Sequence, residues 1–229
     1  MNKISHTLCP DKLCGSSDAY TEYSAGGKCY SCGRWFPHEK SLKPCSNSKT
    51  EKMCYKFTIE LPDSAKAYLY QFGINDSQIE EFDIVYEETS QRIKLGPQLR
   101  AFQKNRKPKS ITIETPERLT WIGRHLTRRG PVVLVEDFIS AIKVSKAYMV
   151  VCLFGTHLNK KKLQELITSP HATEYLIWLD PDSPGVKAAK ELKTRLSAWK
   201  RTSIVYSKKD PKEYTTEEIY RLCKIHSAL

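Results

Sequence analysis

The chain of 229 residues contains no run of about 18 consecutive apolar residues, which excludes a conventional membrane-spanning helix. Residues 1–10 have no apolar signal core, so we expect a cytoplasmic protein. The eight cysteines then belong to a reducing compartment, which favours metal binding or burial over disulfide formation. No Gly-x4-Gly-Lys-Ser/Thr loop is present, which excludes a nucleoside triphosphatase motor of that type within this sequence.

Acidic residues are too few to balance the basic ones. The chain has 37 lysines and arginines against 26 aspartates and glutamates, a formal net charge of +11 and an isoelectric point near 9.2. This surplus favours a polyanionic partner, nucleic acid first, although a merely soluble basic protein is the alternative. The length allows a normal hydrophobic core divided among two or three small units.

Four of the eight cysteines have the spacing of a zinc site. Four residues separate Cys9 from Cys14, two separate Cys29 from Cys32, and turn-forming residues adjoin both pairs. Two such pairs form the knuckles of a four-cysteine zinc ribbon, in which thiolates hold one tetrahedral Zn²⁺. Four unrelated cysteines are the less favoured interpretation. We place the strands of the ribbon hairpin at 16–24 and 28–30.

Carboxylates stand directly after two apolar runs that are typical of buried strands. The run 131–135 leads into Glu136, and the run 175–179 leads into Asp180 and Asp182. A helical pattern follows each of these carboxylates. The two runs therefore predict acidic side chains at the carboxyl ends of two strands.

The alternation of strands and helices predicts an α/β fold with a parallel, doubly wound sheet. Further strands are expected at 149–154 and 202–206, and Asp210 follows the second of them. Ligands bind outside the carboxyl ends of strands in such sheets, so the carboxylates are expected to collect at one edge. There they suit a hard cation such as Mg²⁺, with Mn²⁺ as a substitute. The alternative is a proline-rich turn in which Asp182 or Ser183 caps the next helix.

Four short motifs resemble those of the Toprim domain, in the same order. They are Glu136, Gly155-Thr156, Asp180-Pro-Asp182 with Gly185, and Lys209-Asp-Pro-Lys-Glu213. The resemblance implies that Glu136 serves acid–base chemistry or metal binding and that the aspartates hold Mg²⁺. The family has glycine after this glutamate and aspartate three residues later, whereas this chain has Asp137 and Ser140. That departure leaves open whether one or two metal ions bind, and whether Asp137 replaces the missing carboxylate.

The segment 92–109 contains seven lysines and arginines and no acidic residue. Cationic side chains in front of a metal cluster suit triphosphates and a nucleic-acid backbone, with a solvated basic loop as the alternative. Upstream, the pattern predicts a helix over 63–72 and a second, short helix beginning at 75–76. Paired strands are expected at 85–86 and 93–95.

Motifs in the same region resemble the catalytic core of bacterial and phage DNA primases. They are Tyr68-Leu69 with Gly73-Ile74 and Phe82, Gly96-Pro-Gln-Leu-Arg100, and Lys107-Pro-Lys-Ser-Ile-Thr112. The resemblance implies that Arg100 and Lys109 contact nucleotide or template. Arg106 and Lys212 are further candidates for the same contacts.

This resemblance implies a DNA primase without a helicase domain. It would make short RNA primers for DNA replication on single-stranded DNA, from ribonucleoside triphosphates, by Mg²⁺-dependent nucleotidyl transfer. Its partners would include a separate replicative helicase or polymerase, in a bacterial host cell if the protein is viral. The implied catalytic residues are Glu136, Asp180, Asp182 and Asp210. The alternatives are a non-catalytic DNA-binding clamp, resembling the recombination mediators, and a Toprim nuclease.

We expect four segments along the chain. They are a zinc ribbon at 1–39, a flexible linker at 40–54, a basic α+β subdomain at 55–128 and a Toprim catalytic domain at 129–229. The linker is inferred from its polar composition, which is short of bulky apolar residues. Candidates for template contact on the ribbon are Tyr30, Arg34 and Trp35. The alternative is that these side chains form the ribbon's own small core.

Overall fold

A computed structural model describes most of the chain. The described residues are 3–10, 14, 20–23, 26–29, 31–32, 34–37, 55–114, 118–123, 129–156 and 158–227. The chain divides into two compact units, Met1–Cys54 and Tyr55–Leu229, which we take separately. The linker expected at 40–54 lies outside the described residues, and the four-segment division stays a prediction. Among the described residues, the helices are all too short or too polar to cross a membrane.

The first unit contains one antiparallel sheet with its strands in sequence order. The strands are β1 (Lys3–Thr7), β2 (Tyr20–Tyr23), β3 (Gly26–Cys29) and β4 (Trp35–Pro37). The predicted hairpin is β2 paired with β3, while β1 and β4 were not predicted. The ring of Tyr20 meets that of Phe36 edge-on at 5.7 Å. A Cβ atom at Gly27 would lie 2.0 Å from the Tyr20 hydroxyl, so a larger residue there would displace this ring.

The second unit begins with a small antiparallel sheet and two helices. Its strands, in sheet order, are β5 (Phe57–Thr58), β6 (Val85–Glu87), β7 (Arg92–Leu95), β8 (Gln98–Arg100) and β9 (Ser110–Thr112). The helices are α1 (Asp63–Tyr70) and α2 (Asp76–Glu81). The pairing predicted between 85–86 and 93–95 is confirmed, because Tyr86 faces Ile93. Asn75 and Gln78 form a capping box at the start of α2, which explains why that helix begins where the sequence predicts.

A larger sheet of five strands forms the centre of this unit. In spatial order the strands are β10 (Thr120–Ile122), β12 (Met149–Cys152), β11 (Gly130–Val135), β13 (Ala172–Ile177) and β14 (Arg201–Ile204). The helices that follow its strands are α3 (Phe138–Val144), α4 (Lys160–Thr168), α5 (Ser183–Leu196) and α6 (Thr216–His226). Strands β11 to β14 are parallel, as predicted, and β10 adds an antiparallel edge that was not predicted.

Alternate residues of β11 enter two separate hydrophobic layers, because successive side chains of a strand point to opposite faces. Val133 and Val135 pack in the layer that contains α3, α6 and α1. Val132 and Leu134 pack in the layer that contains α4 and α5. Helices therefore cover both faces, which is why the sequence of β11 is a continuous apolar run rather than an alternating one.

The order of the strands reverses beside β11. The chain passes through α3 to β12 on one side of β11, then through α4 to β13 on the other side. Such a reversal opens a crevice at the carboxyl ends of the two central strands, where open α/β sheets bind their ligands. Glu136 follows β11 and Asp180 follows β13, so both lie at this crevice.

Candidate active site and zinc centre

The four predicted cysteine ligands converge in the first unit. Their sulfur atoms all lie within 4.8 Å of one another. Cys9 Sγ is 3.9 Å from Cys32 Sγ, and Cys14 Sγ is 3.7 Å from Cys29 Sγ. A tetrahedral zinc ion about 2.3 Å from each sulfur separates neighbouring sulfurs by about 3.8 Å. Hydrogen bonds from the Cys32 backbone lower the pKa of the Cys29 thiol to about 7, towards the thiolate that zinc requires. The cluster fits a zinc ribbon.

The template-contact candidates on the ribbon are only partly described. Arg34 is exposed at the start of β4. Tyr30 and the side chain of Trp35 lie outside the described part of the structure. The small described core around the cysteines uses Tyr20 and Phe36 instead.

Glu136 and Asp180 are half-buried carboxylates whose charges repel each other. Burial raises the pKa of Glu136 to about 7, and the charges of Asp180, Asp182 and Asp137 add to the increase. Burial likewise raises the pKa of Asp180 to about 6; the charge of Lys212 opposes this increase, and the charges of Asp210, Asp137 and Asp182 add to it. Asp180 Oδ1 is buried and has no hydrogen-bond partner. The predicted carboxylates thus lie near enough for their charges to act on one another and leave an excess of negative charge at the crevice, although no three of them bring ligand atoms within 4.8 Å of one another.

Asp182 has a structural role as well as a place in this cluster. Its Oδ1 accepts a hydrogen bond of 2.8 Å from the backbone N–H of Gly185 and caps α5. A Cβ atom on Gly185 would lie 2.2 Å from the carbonyl oxygen of Asp180, so glycine is needed there. The helix cap considered for Asp182 at the sequence level is therefore present. This cap uses Asp182 Oδ1 and leaves Asp182 Oδ2 outside the cap.

Lys212 is held by two carboxylates. Its Nζ lies 3.1 Å from Asp137 Oδ2 and 2.6 Å from Asp210 Oδ2. The lysine belongs to a 3₁₀ turn, Pro211–Glu213, which packs against α3, and its side chain is only 9% exposed. Burial alone would lower its pKa, but Asp137 and the other carboxylates raise it overall. The expectation that Lys212 reaches out to nucleotide or template does not match this buried, paired position.

Asp137 caps α3. Its Oδ1 accepts hydrogen bonds from the backbone N–H groups of Ile139, at 2.9 Å, and Ser140, at 3.0 Å. Its Oδ2 accepts one from the Ser140 hydroxyl at 2.8 Å, besides the contact with Lys212. Burial acts to raise the pKa of Asp137, but Lys212 and these hydrogen bonds hold it below the ordinary value.

The basic strands approach the same edge of the large sheet. Gln98 Nε2 donates to the carbonyl oxygen of Phe154, just beyond β12, at 3.3 Å. Gly96 has φ +58°, and a Cβ atom there would lie 2.9 Å from the Phe154 ring. The turn between β7 and β8 therefore lies against the carboxyl edge of the sheet, on the side where Glu136 and Asp180 collect.

The basic residues of segment 92–109 differ in exposure. Lys109 is exposed, whereas Arg100 is half-buried and donates to the Ser110 hydroxyl at 3.0 Å. Arg106, also half-buried, donates to Gln91 Oε1 at 3.0 Å. Arg92 is buried and donates to the carbonyl oxygen of Pro108 at 2.8 Å, so it braces the loop before β9. One of the seven basic residues therefore supports the segment from inside.

Residues 134–215 match a protein-family model described as Toprim-like. The second unit has a Toprim-type α/β core. A search of curated proteins found no match.

Several solved structures share the fold. The zinc-binding and RNA polymerase domains of the Aquifex aeolicus primase align with 18% identity and a TM-score of 0.60, covering 99% of this chain and 81% of that one. The DnaG primase catalytic domain bound to single-stranded DNA aligns with 14% identity and a TM-score of 0.57, over 72% of each chain. The primase fragment of the bacteriophage T7 primase-helicase protein aligns with 18% identity and a TM-score of 0.49, over 98% of this chain and 99% of that one.

Two features of the Toprim edge were missed at the sequence level. The first is the pairing of Lys212 with Asp137; their separation of 75 residues gives no local signal. The second is an aromatic stack of Phe138 on Phe154, 5.8 Å between ring centroids, which supports the turn between β7 and β8. Both depend on packing between elements that are distant in sequence.

Proposed function

We propose that this protein is a DNA primase, a nucleotidyltransferase that makes short RNA primers on single-stranded DNA from ribonucleoside triphosphates. The carrying observation is that the turn between the basic strands β7 and β8 lies against the sheet edge where Glu136, Asp180 and Asp182 collect, through the contact of Gln98 with Phe154. The lysines and arginines of segment 92–109 would supply the cations beside these carboxylates. A metal-binding acidic crevice beside a phosphate-binding basic surface suits transfer of a nucleotidyl group to a growing chain.

The three carboxylates fit a divalent metal such as Mg²⁺. They offer the hard oxygen ligands that this ion prefers, and Mn²⁺ suits the same donors. The unpartnered, buried Oδ1 of Asp180 supports the assignment, because a buried carboxylate oxygen normally has a donor or a cation beside it. When bound, Mg²⁺ would neutralise the charge that develops on the triphosphate.

The protein's own side chains contribute orientation and proton transfer. Glu136 stands at the same crevice and would serve either as a ligand of that ion or as the acceptor of the proton from the attacking 3′-hydroxyl. Arg100, Arg106 and Lys109 would neutralise the phosphates of the nucleotide and of the template backbone. Of these three, Lys109 is the exposed one and is the best placed to contact a mobile strand.

The first unit would hold the template. Its zinc-compatible cluster and exposed Arg34 suit a small nucleic-acid-binding module. The solved catalytic domain that is bound to single-stranded DNA supports that class of template for this chain. We expect a separate replicative helicase or polymerase to act with the protein at the primed site.

Primer synthesis tests the proposal directly. The full chain, a single-stranded DNA template, the four ribonucleoside triphosphates with one of them labelled, and Mg²⁺ should yield short RNA products that depend on the template. Deoxyribonucleoside triphosphates alone provide a comparison. An Asp180→Asn variant should yield none, while Glu191→Gln, an exposed carboxylate on α5, should behave as wild type.

Other outcomes would identify the alternatives. Template cleavage without synthesis, lost in Asp180→Asn, would favour the Toprim nuclease. Tight DNA binding with neither reaction would favour the non-catalytic clamp. Either result would overturn the primase assignment while leaving the Toprim-type fold as described.

A further inference from the structure

Lys212 is fixed in the carboxylate cluster by the elements around it. The 3₁₀ turn that carries it packs against α3, and Asp137 at the start of α3 meets it from there. Asp210, two residues before it, meets it from the turn itself at 2.6 Å. With a side chain only 9% exposed, the ammonium group has little contact with solvent. It is therefore a resident charge of the site rather than a mobile surface charge.

The oxygens of Asp137 are fully used. A carboxylate has about four lone-pair sites, two on each oxygen. Oδ1 accepts from the N–H groups of Ile139 and Ser140, and Oδ2 accepts from the Ser140 hydroxyl and from Lys212. A metal ion at Asp137 would have to displace a helix cap or the lysine. Asp137 is thus unsuited to replace the aspartate that the Toprim pattern has at the position of Ser140.

The other side of the cluster is different. Asp180 Oδ1 has no hydrogen-bond partner, and the cap on α5 uses only Oδ1 of Asp182. Glu136 is half-buried beside them. The charge of Lys212 acts on Asp180 as well, yet Asp180 Oδ1 keeps no hydrogen-bond partner. The cluster therefore has one half satisfied by an ammonium and one half in need of a cation.

We propose that Lys212 is a built-in cation that takes the place of a second metal, so that the site binds a single divalent ion through Glu136, Asp180 and Asp182. The inference rests on the proposed function for the identity of the metal site. Lys212 then acts as a positioning residue, which holds Asp137 and Asp210 away from the bound ion. It would make the chemistry depend on one metal rather than on a two-metal clamp.

Counting bound Mn²⁺ tests this proposal. The zinc-loaded full chain is titrated with Mn²⁺ alone, and bound ion is measured by electron paramagnetic resonance; the four thiolates prefer zinc to Mn²⁺. We expect one Mn²⁺ per wild-type chain and two per Lys212→Met chain, in which the side chain keeps its size but loses its charge. Asp180→Asn should weaken the single wild-type site at least about tenfold, which would locate it.

Matched variants separate charge from structure. Lys208→Met, an exposed lysine on the same segment, and Lys212→Arg, which keeps the charge, should each bind one Mn²⁺. Asp137→Asn combined with Lys212→Met should also return to one, because the second ion loses a ligand. This double variant removes both members of the Lys212–Asp137 pair and leaves only Asp210 without its partner, which protects the fold better than removing Lys212 alone.

Two results would overturn the inference. Two Mn²⁺ in the wild-type chain would do so whether or not the variants fold, and so would one Mn²⁺ in a folded Lys212→Met chain. If the protein gives either of these Mn²⁺ counts and still makes primers, the proposed function holds. If the wild-type chain binds one Mn²⁺ but makes no primers, the proposed function is wrong and the proposal of a single-ion site still holds.

Discussion

In the first unit four sulfur atoms lie within 4.8 Å of one another, whereas the described carboxylates of the second unit form no such close group. The four thiols are alike and lie as close to one another as a tetrahedral site for one zinc ion requires. The carboxylates have separate partners instead: Asp137 and Asp182 cap helices, and Lys212 pairs with Asp137 and Asp210. A site for structure can close around its metal, while a site for chemistry must keep room for substrate.

The two units also differ in what else stabilises them. The described core of the first unit consists of Cys9, Tyr20 and Cys29, with Cys14 and Phe36 beside it. Two extensive hydrophobic layers enclose the large sheet of the second unit. We therefore expect the first unit to depend on its ligand cluster to fold, as small zinc modules do. The acidic cluster opposes folding, because its buried charges repel one another.

The largest expected effect is the loss of synthesis when the acidic cluster loses a ligand. Asp180→Asn and Asp182→Asn should each reduce primer formation by about a thousandfold or more, because a lost metal ligand removes several kcal/mol of transition-state stabilisation. Rates of dinucleotide formation with Mg²⁺ and with Mn²⁺ provide the measurement. The melting temperature of Asp180→Asn should not fall, and Glu191→Gln should leave both quantities unchanged. Primers from an Asp180/Asp182 double variant would end the catalytic interpretation.

The second largest expected effect is the unfolding of the first unit when the thiol cluster loses a cysteine. Cys29→Ser should release the zinc and unfold the first unit, because the remaining core is too small to hold it. Amide hydrogen exchange should then show lost protection in β2 and β3 with the large sheet unchanged. Elemental analysis gives the zinc content, and Cys45→Ser, in the predicted linker, should keep it. Zinc-free protein that starts primers at the same template sites would contradict this assignment.

A smaller effect is expected outside both clusters, on the basic surface. Lys109→Ala should weaken binding to single-stranded DNA about three- to tenfold and lower the slope of log affinity against log salt by about one. Fluorescence anisotropy at several salt concentrations measures both quantities. Lys190→Ala on α5 serves as the control, since an exposed lysine on another element should change neither. An unchanged salt slope for Lys109→Ala would remove it from the DNA-contacting surface.

Local pattern explains what the sequence predicted and what it missed. The strands before Glu136 and Asp180 were predictable because burial on both faces requires continuous apolar runs, and the cysteine pairs because a knuckle fixes their spacing. β10 was missed because three residues carry too little periodicity. Lys212 was predicted to contact nucleotide or template, yet it is buried, and Arg92, which was counted in the basic segment, is buried as well. Charge can be read from sequence, but the direction of a long side chain depends on which distant acceptor the fold brings to it.

The smallest expected effect is a pH dependence of folding stability that arises in the acidic cluster. Burial raises the pKa of Glu136 from 4.5 to about 7, so the folded state binds a proton that the unfolded state releases. That contribution to stability is fully present below about pH 4.5 and is lost as the pH rises to about 7. Glu136→Gln keeps the site neutral, so its stability should equal that of wild type near pH 4 and exceed it at pH 8. After allowance for the half-exposed position, we expect about 1 kcal/mol, or about 2–4 °C in melting temperature.

Thermal unfolding of the chain without added divalent ion, followed by tryptophan fluorescence, provides this measurement. Three of the four tryptophans lie in the second unit, so the signal mainly reports the large sheet. The difference in stability between Glu191→Gln and wild type should not grow with pH, because the Glu191 carboxylate is exposed on α5. If Glu136→Gln were less stable than wild type at pH 8, the ionised Glu136 would be making a favourable contact. The acidic cluster would then support the fold as the thiol cluster does, and the contrast between the two sites would fail.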